Sequence, residues 1–526
     1  MLDCLTFLWY NIHMKKTIET IPKTEYDDLT QKVQWLMEQL RLSKHRQFGV
    51  SSEKTDYAQI SLFNEAETMA DNSPEPELVE VEKHYRKRHK ACRLPEGLPI
   101  EVVEHDISAD EKSCPDCGHE LHRMGREIRR ELKFVPAKAI IIEHTSFTYS
   151  CRDCEKNAES VPIVKSRMPN PVIKGSFASP EAIAYIMTQK FVMASPLYRL
   201  EQEFKRSGID LSRQTMSNWL IRASNDWLTP LYQRLHEKLL QHQVLHADET
   251  TLQVLKEPDK RAQSKSYMWL YRTSGDAMHP IVLYEYQPDR SKKRPATFLE
   301  GFNGYLHADG YEVYHSLPST VVGCWAHARR KWDEALKVAA ATDSAAAKGL
   351  QFCNDLFALE RKFAEMSPKK RYEERQKQSK PVVDDFLSWL DSLNSLPKTA
   401  LGKAVYYMHS QRKYLLRYLD DGRLEISNNR AERSIKPFVI GRKNWMFCNT
   451  SGGAKASAVI YSIIETAKEN NLNPYEYLTH IFKMAPNIEL GDSNALDTLL
   501  PENAPLHCRQ PVKTNDKPTK HSWEEN

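Results

Sequence analysis

The chain has 526 residues, more than one hydrophobic core usually organises, which predicts three or four domains. Its net charge of +4 is too small to indicate a nucleic-acid partner by itself, and no apolar run approaches the roughly 20 residues that span a bilayer. Residues 1–10 are apolar but carry Asp3 and lack a basic flank, so no export signal is expected, and the chain reads as cytoplasmic.

Residues 1–24 form a leader without a structural signal. The segment 25–55 is expected to be zipper-like, with a helix over 24–48, because Leu29, Val33, Leu36 and Leu40 recur at helical steps on one face. The stripe is short for a coiled coil, so packing within its own domain and a dimerisation zipper both remain open. Gly49, Ser51 and Ser52 stop the helix. Residues 56–100 are a charged linker in which an acidic block, Glu65 to Glu82, meets the basic run Lys83 to Lys90.

Residues 101–165 carry two Cys-x-x-Cys knuckles, Cys114 with Cys117 and Cys151 with Cys154. Four thiolates so paired can close a tetrahedral site around a structural Zn2+, and a chain without an export signal favours metal over disulfides. The segments 134–142 and 145–150 read as strands that bring the knuckles together. His119 and His122 are alternative ligands.

Residues 166–240 read as helical. Ser179-Pro180 and Ser195-Pro196 start two helices, and after Ser207-Gly208 a third starts at Ser212-Arg213. Helix, glycine turn and serine-capped helix, with Arg213, Gln214 and Asn218 on the last, have the order of a helix-turn-helix DNA-binding segment.

The phrase Leu-His-Ala-Asp then occurs twice, ending at Asp248 and at Asp309. Each copy closes an apolar run read as a strand. Strands are expected at 243–247, 266–272, 280–286, 304–308 and 320–324, with a short helix at 294–299 and another entered at Trp325. This is the order of a ribonuclease H-like fold, in which the first and fourth strands lie side by side. The catalytic core would thus begin at 241–335, be interrupted by a helical insertion at 336–420, and resume at 421–488, where Asn429 would cap a helix carrying Glu432. The tail, 489–526, is polar and proline-rich and is expected to be disordered. The fold class expected is therefore multidomain α/β.

Two acids at neighbouring strand ends and a third on a late helix suit phosphodiester chemistry with two Mg2+ ions about 3.5–4 Å apart, because magnesium takes oxygen ligands and keeps positions for water and phosphate. Asp248 would bridge the ions, and Asp309 and Glu432 would complete one each. Glu249 and Glu425 are the rivals, although strand alternation points Glu249 away from Asp248. Arg430, Arg433, Lys436, Arg442 and Lys443 would hold a nucleic-acid backbone, with Trp445 stacking on a base. His246 and His307 fit packing better than ligation.

Together these stretches resemble the insertion sequence 66 family of bacterial transposases over about residues 25–505. The resemblance is carried by Phe48-Gly49 and Ser52-Glu53-Lys54, the two knuckles, His246-Ala247-Asp248-Glu249-Thr250, Asp309-Gly310-Tyr311, Cys324-Trp325-Ala326-His327-Ala328-Arg329-Arg330, Asn428-Asn429-Arg430-Ala431-Glu432-Arg433, Gly441-Arg442-Lys443-Asn444-Trp445 and Leu499-Leu500-Pro501. It implies an Asp-Asp-Glu transposase that binds the terminal inverted repeats of its own element and cleaves and joins DNA with Asp248, Asp309 and Glu432. The implied partners are transposon-end and target DNA, further copies of the chain in a synaptic complex, and accessory proteins of the element. Ser427 departs from the aspartate usual in the family, which leaves a catalytically inactive DNA-binding regulator as the alternative.

Overall fold

The computed structural model describes residues 32, 33, 35–37, 139–150, 163–166, 168–338 and 344–510. The chain divides into two compact units, one of residues 61–168 and one of residues 1–60 and 169–526. Residues 32, 33 and 35–37 are helical, with Val33 and Leu36 exposed, while Leu29 and Leu40 lie outside the described residues.

In the smaller unit, β1 (Thr148–Ser150) pairs antiparallel with β2 (Ile163–Lys165). Of the two segments read as strands, 145–150 forms one over its last three residues, whereas 139–142 of the other forms none and 134–138 lie outside the described residues. The partner of β1 follows the second knuckle, and Ile140, Ile141 and Ile142 are exposed without strand structure. Cys114, Cys117, Cys151 and Cys154, with His119 and His122, lie outside the described residues.

The larger unit opens with helices α1 (Pro180–Phe191), α2 (Leu197–Arg206) and α3 (Arg213–Ala223). Ser179 and Ser212 cap the first and third, each accepting a backbone N–H at 3.1 Å. Gly208 turns the chain between α2 and α3 with a φ of +77°, a conformation that costs a residue without Cβ little. A π-helical turn, Ser224–Leu228, leads into α4 (Thr229–Leu239).

A sheet follows: β3 (Val244–Lys256), β4 (Lys265–Thr273), β5 (Val282–Gln287), then α5 (Lys293–Phe298), β6 (Tyr305–His307), α6 (Glu312–His315) and β7 (Thr320–Val322). Its order is β5-β4-β3-β6-β7. The first three strands are antiparallel, and β6 and β7 join them in parallel, so the first and fourth strands are neighbours. Helices α7 (Trp325–Val338), α8 (Ala345–Phe363), α9 (Pro368–Glu374), α10 (Lys380–Ser392) and α11 (Ala400–Leu416) come next. The chain then returns as α12 (Asn429–Trp445), β8 (Cys448–Thr450), α13 (Ser451–Glu469), α14 (Pro474–Met484) and α15 (Ser493–Asp497).

Two cores result. One joins α1–α4 to the sheet, α12, α13 and α14. The other lies between α7, α8, α10 and α11 and is built on Trp325, Trp332, Phe386 and Leu390. The edge strand β5 is closed by α13. Ser462 accepts the Tyr284 N–H at 2.7 Å, and one turn later Thr466 accepts the Val282 N–H at 3.0 Å. A helical step of four thus matches a strand step of two and satisfies groups that would otherwise template aggregation.

The expected disordered tail needs correction as far as residue 510. Leu496, Leu499, Leu500 and Cys508 are buried, Asp497 pairs with Arg234 at 2.7 Å, and Leu472 bridges Arg509. Spaced leucines outweigh the polar composition here because each finds an apolar site on the larger unit.

The second core is tight where α8 crosses α7. A Cβ on Gly349 would overlap the Trp332 indole. Gly349→Ala should therefore lower stability by about 1–3 kcal/mol in a chemical denaturation curve, as overpacking does; an unchanged curve would show that the crossing has slack.

Candidate active site

The site forms where β6 stops. Parallel pairing of β3 with β6 runs from Val244 opposite Tyr305 to His246 opposite His307, and β6 ends there. β3 does not end. It continues to Lys256, against β4 as far as Gln253 and then beside β8 at Val254 and Lys256, with Asp248 opposite Leu270 in mid-strand. This corrects the expectation that the first Leu-His-Ala-Asp phrase closes its strand. The antiparallel neighbour persists, and Leu252 and Val254 keep the alternation buried. Asp248 thus stands where β3 loses one neighbour and keeps the other. Asp309 lies just past the end of β6, its Oδ1 accepting the Tyr311 N–H at 2.9 Å.

Glu432 arrives on the first turn of α12. The residue that sets this helix is Asn428, not Asn429 as the sequence predicts. Asn428 is the N-cap residue, yet its side chain makes no capping bond. Its Nδ2 donates to the Ala247 carbonyl at 2.8 Å and its Oδ1 meets His246 Nδ1 at 3.0 Å. The Asn428 N–H also points at Cys324 Sγ, 3.2 Å away. One amide therefore ties the start of the Glu432 helix to the residue before Asp248. Sequence reasoning missed this role, and its only signal was the adjacent asparagine pair.

Burial and the charges of Glu249, Asp309 and Glu432 push the Asp248 carboxyl well above the ordinary carboxylate range. The two rival acids are already matched. Glu249, 3% exposed at its side chain, accepts from Arg290 Nε at 2.9 Å and from the Tyr314 hydroxyl at 2.5 Å. Arg290 in turn lies 3.6 Å over the Tyr311 ring. Glu425 pairs with Arg430 Nε at 2.5 Å. By contrast, Glu432 Oε1 is buried without a hydrogen-bond partner among the described residues, as is His327 Nδ1, 3.8 Å from it. An orphaned carboxylate oxygen beside crowded acids is a donor set that fits a divalent cation, which supplies the missing positive charge.

His246 and His307 stack with ring centroids 4.3 Å apart, and both are fully buried. Burial lowers the His246 imidazole to about 3 and His307 well below its usual range, so both are neutral spacers between the strands.

The basic residues divide by placement. Arg433 and Lys443 are exposed and Lys436 is half-buried. Arg442 is turned inward, donating to the Thr251 carbonyl and to Thr250 Oγ1. Trp445 is half-buried, 5.6 Å edge-on to Phe438 with Lys190 over its ring, which makes it a packing residue and not the open stacking platform expected. On α3, Arg213, Gln214 and Asn218 are exposed; Gln214 donates to Asn218 at 3.1 Å and Arg213 lies 5.7 Å from the Tyr198 ring.

Asn428→Ala should leave the Ala247 carbonyl and His246 unpaired in the interior and cost about 1–3 kcal/mol for each group stranded. Urea denaturation measures this, and a loss under half a kcal/mol would remove Asn428 from its assigned role.

Residues 175–456 match the Transposase IS66 family, residues 111–155 the zinc-finger binding domain of transposase IS66, and residues 462–501 the IS66 C-terminal element. Residues 35–103 match a segment described as Transposase C of IS166 homeodomain. The four knuckle cysteines fall inside the zinc-finger match. The protein y4jD of Sinorhizobium fredii (strain NBRC 101917 / NGR234) is 31% identical over 438 residues, covering 80% of this chain and 83% of that protein. From the same organism, y4qI is 29% identical over 474 residues, covering 84% of each chain. Among the described residues no helix is long and apolar enough to cross a membrane. With more than half of its length inside one transposase match and further matches on both sides, the chain belongs to the IS66 family of transposases.

Proposed function

We propose that this transposase binds the terminal inverted repeats of its insertion sequence and performs metal-dependent cleavage and strand transfer on a ribonuclease H-like core, with Asp248, Asp309 and Glu432 as its acids. The observation that carries the reading is the convergence of these three: β3 and β6 pair in parallel so that Asp248 and Asp309 follow the same register just past the last β6 pair, and Asn428 ties the start of the Glu432 helix to β3. The strand order, three antiparallel strands and then two parallel ones, supports the core assignment.

Asp248, Asp309 and Glu432 would hold the divalent ions, two Mg2+ in this reading. When bound, these ions activate a water or a 3′-hydroxyl and relieve charge on the leaving oxygen. The chain's own part is positional. Asp248 is held by the N–H of Glu249 at 2.8 Å, and Asp309 by that of Tyr311. Glu249 and Arg290 neutralise one another beside them, which keeps that carboxylate out of the ion's coordination. Arg430, Arg433, Lys436 and Lys443 lie on the Glu432 helix, where a phosphate backbone approaching the acids would meet them. We assign Arg213, Gln214 and Asn218 on α3 to end DNA, and Cys114, Cys117, Cys151 and Cys154 to a structural Zn2+. Joining two ends to one target also implies a multimer, with accessory proteins of the element as further partners, acting on the nucleoid in the cytoplasm.

The test is the full chain with end-sequence DNA and Mg2+. Cleaved or joined product is expected, lost on chelation. Asp248→Asn, Asp309→Asn and Glu432→Gln should each lower the rate by about a thousandfold, since an acid that holds an ion is worth several kcal/mol and each 1.36 kcal/mol is tenfold. Retained activity in any of the three removes that residue from the site. Binding of end DNA without any metal-dependent product favours the inactive regulator instead.

A further inference from the structure

His327 is unassigned by the reading above. It sits on the first turn of α7, its N–H bonded to the Cys324 carbonyl at 3.2 Å, and this turn faces the start of α12. Its Nδ1 and Glu432 Oε1 are both buried without a hydrogen-bond partner among the described residues, yet they stand 3.8 Å apart. That gap is too long for a hydrogen bond, which ends near 3.5 Å. Two ligand atoms each about 2.0–2.2 Å from a shared ion are, however, separated by roughly 3–4 Å. Side-chain donor atoms of Cys324, His327 and Glu432 all lie within 4.8 Å of one another. The Cys324 sulfur is fully buried and already faces the Asn428 N–H at 3.2 Å, so it belongs to the joint between α7 and α12.

We propose that His327 contributes an imidazole nitrogen to the cation held at Glu432, giving the acidic site one mixed nitrogen and oxygen position. The inference rests on the assignment of Glu432 to the cation site. Its chemical consequence is selectivity. A position with imidazole suits Mn2+, Co2+ or Zn2+ better than Mg2+, whose preference is for oxygen throughout. The all-carboxylate part of the site keeps the magnesium-like character. Two positions of unequal softness would then be filled by different ions at different concentrations.

The probe is Mn2+ titrated into the full chain, read by electron paramagnetic resonance. Pulsed measurements detect a nitrogen bonded to the ion, independently of any DNA cleavage. The expected result is a nitrogen signal in the unaltered chain that is absent in His327→Ala and His327→Asn, both still binding Mn2+ through carboxylates with affinity lowered about tenfold. Circular dichroism establishes that the asparagine variant, which keeps a polar group near the Nδ1 position, is folded. A nitrogen signal that persists in both variants, or its absence from Mn2+ bound to the unaltered chain, overturns the proposal. Asp248→Asn and Asp309→Asn separate this from the parent reading. If they leave Mn2+ and its nitrogen signal intact, the three-acid assignment fails while the histidine ligand stands; if they release Mn2+ while the histidine variants keep the nitrogen signal, the reverse holds.

Discussion

The brevity of β6 is the constraint on which the site depends. Because this strand has only three residues, β3 is flanked on both sides as far as His246 and by β4 alone from Ala247 to Gln253, before β8 joins it at Val254 and Lys256. The charges of Asp309 and Glu432 act on Asp248 there, and His327 Nδ1 stands 3.8 Å from Glu432 Oε1. Burial first, and then the like charges of Glu249, Asp309 and Glu432, push the Asp248 carboxyl up, so this crowding is unfavourable. The repulsion is tolerated because surrounding charges are paired off, Glu249 with Arg290 and Glu425 with Arg430, which leaves a local deficit of positive charge concentrated on three residues.

The helical insertion contributes to the same site from a distance. Arg375 is buried, with a bidentate pair to Glu360 at 2.8 and 2.6 Å, and donates to the carbonyls of Tyr418, Asp421 and Leu424 at 2.9–3.0 Å. These three carbonyls belong to the segment that leads to Asn428. A buried guanidinium with each of its donors engaged fixes this return path firmly, and removing it would strand both Glu360 and several carbonyls. The Trp325 N–H donates to the Ile426 carbonyl at 3.0 Å, so α7 and α12 start from one joint. The insertion is thus coupled through α7 to the position of Glu432.

The adjacency of β3 and β6 followed only from matching the strand order to a known fold, while the strands and that order were legible in the sequence because apolar runs and turns are local signals. The serine caps at Ser179 and Ser212 were legible for the same reason. What escaped was decided by partners remote in sequence. The continuation of β3 past Asp248 depends on β4. The choice of Asn428 over Asn429 depends on Ala247 and His246, far back in the chain. Trp445 read as a stacking platform because its neighbours Arg442 and Lys443 are basic, but Phe438, one helical repeat earlier, claims its ring. The tail read as disordered from composition, whereas Leu496, Leu499 and Leu500 act individually by filling apolar sites. Glu249 is a rival ligand by sequence, but Arg290 and Tyr314 occupy its carboxylate.

The central claim is that three segments distant in sequence together hold the divalent cations of one site. Fe2+ bound in place of the resident ion, with ascorbate and peroxide, generates hydroxyl radicals that cut nearby backbone, and mass spectrometry of the full chain maps the cuts. The account predicts cuts clustered around residues 248, 309 and 432, all suppressed together by excess Mg2+. Cuts confined to one of the three segments, or a pattern indifferent to Mg2+, would contradict it.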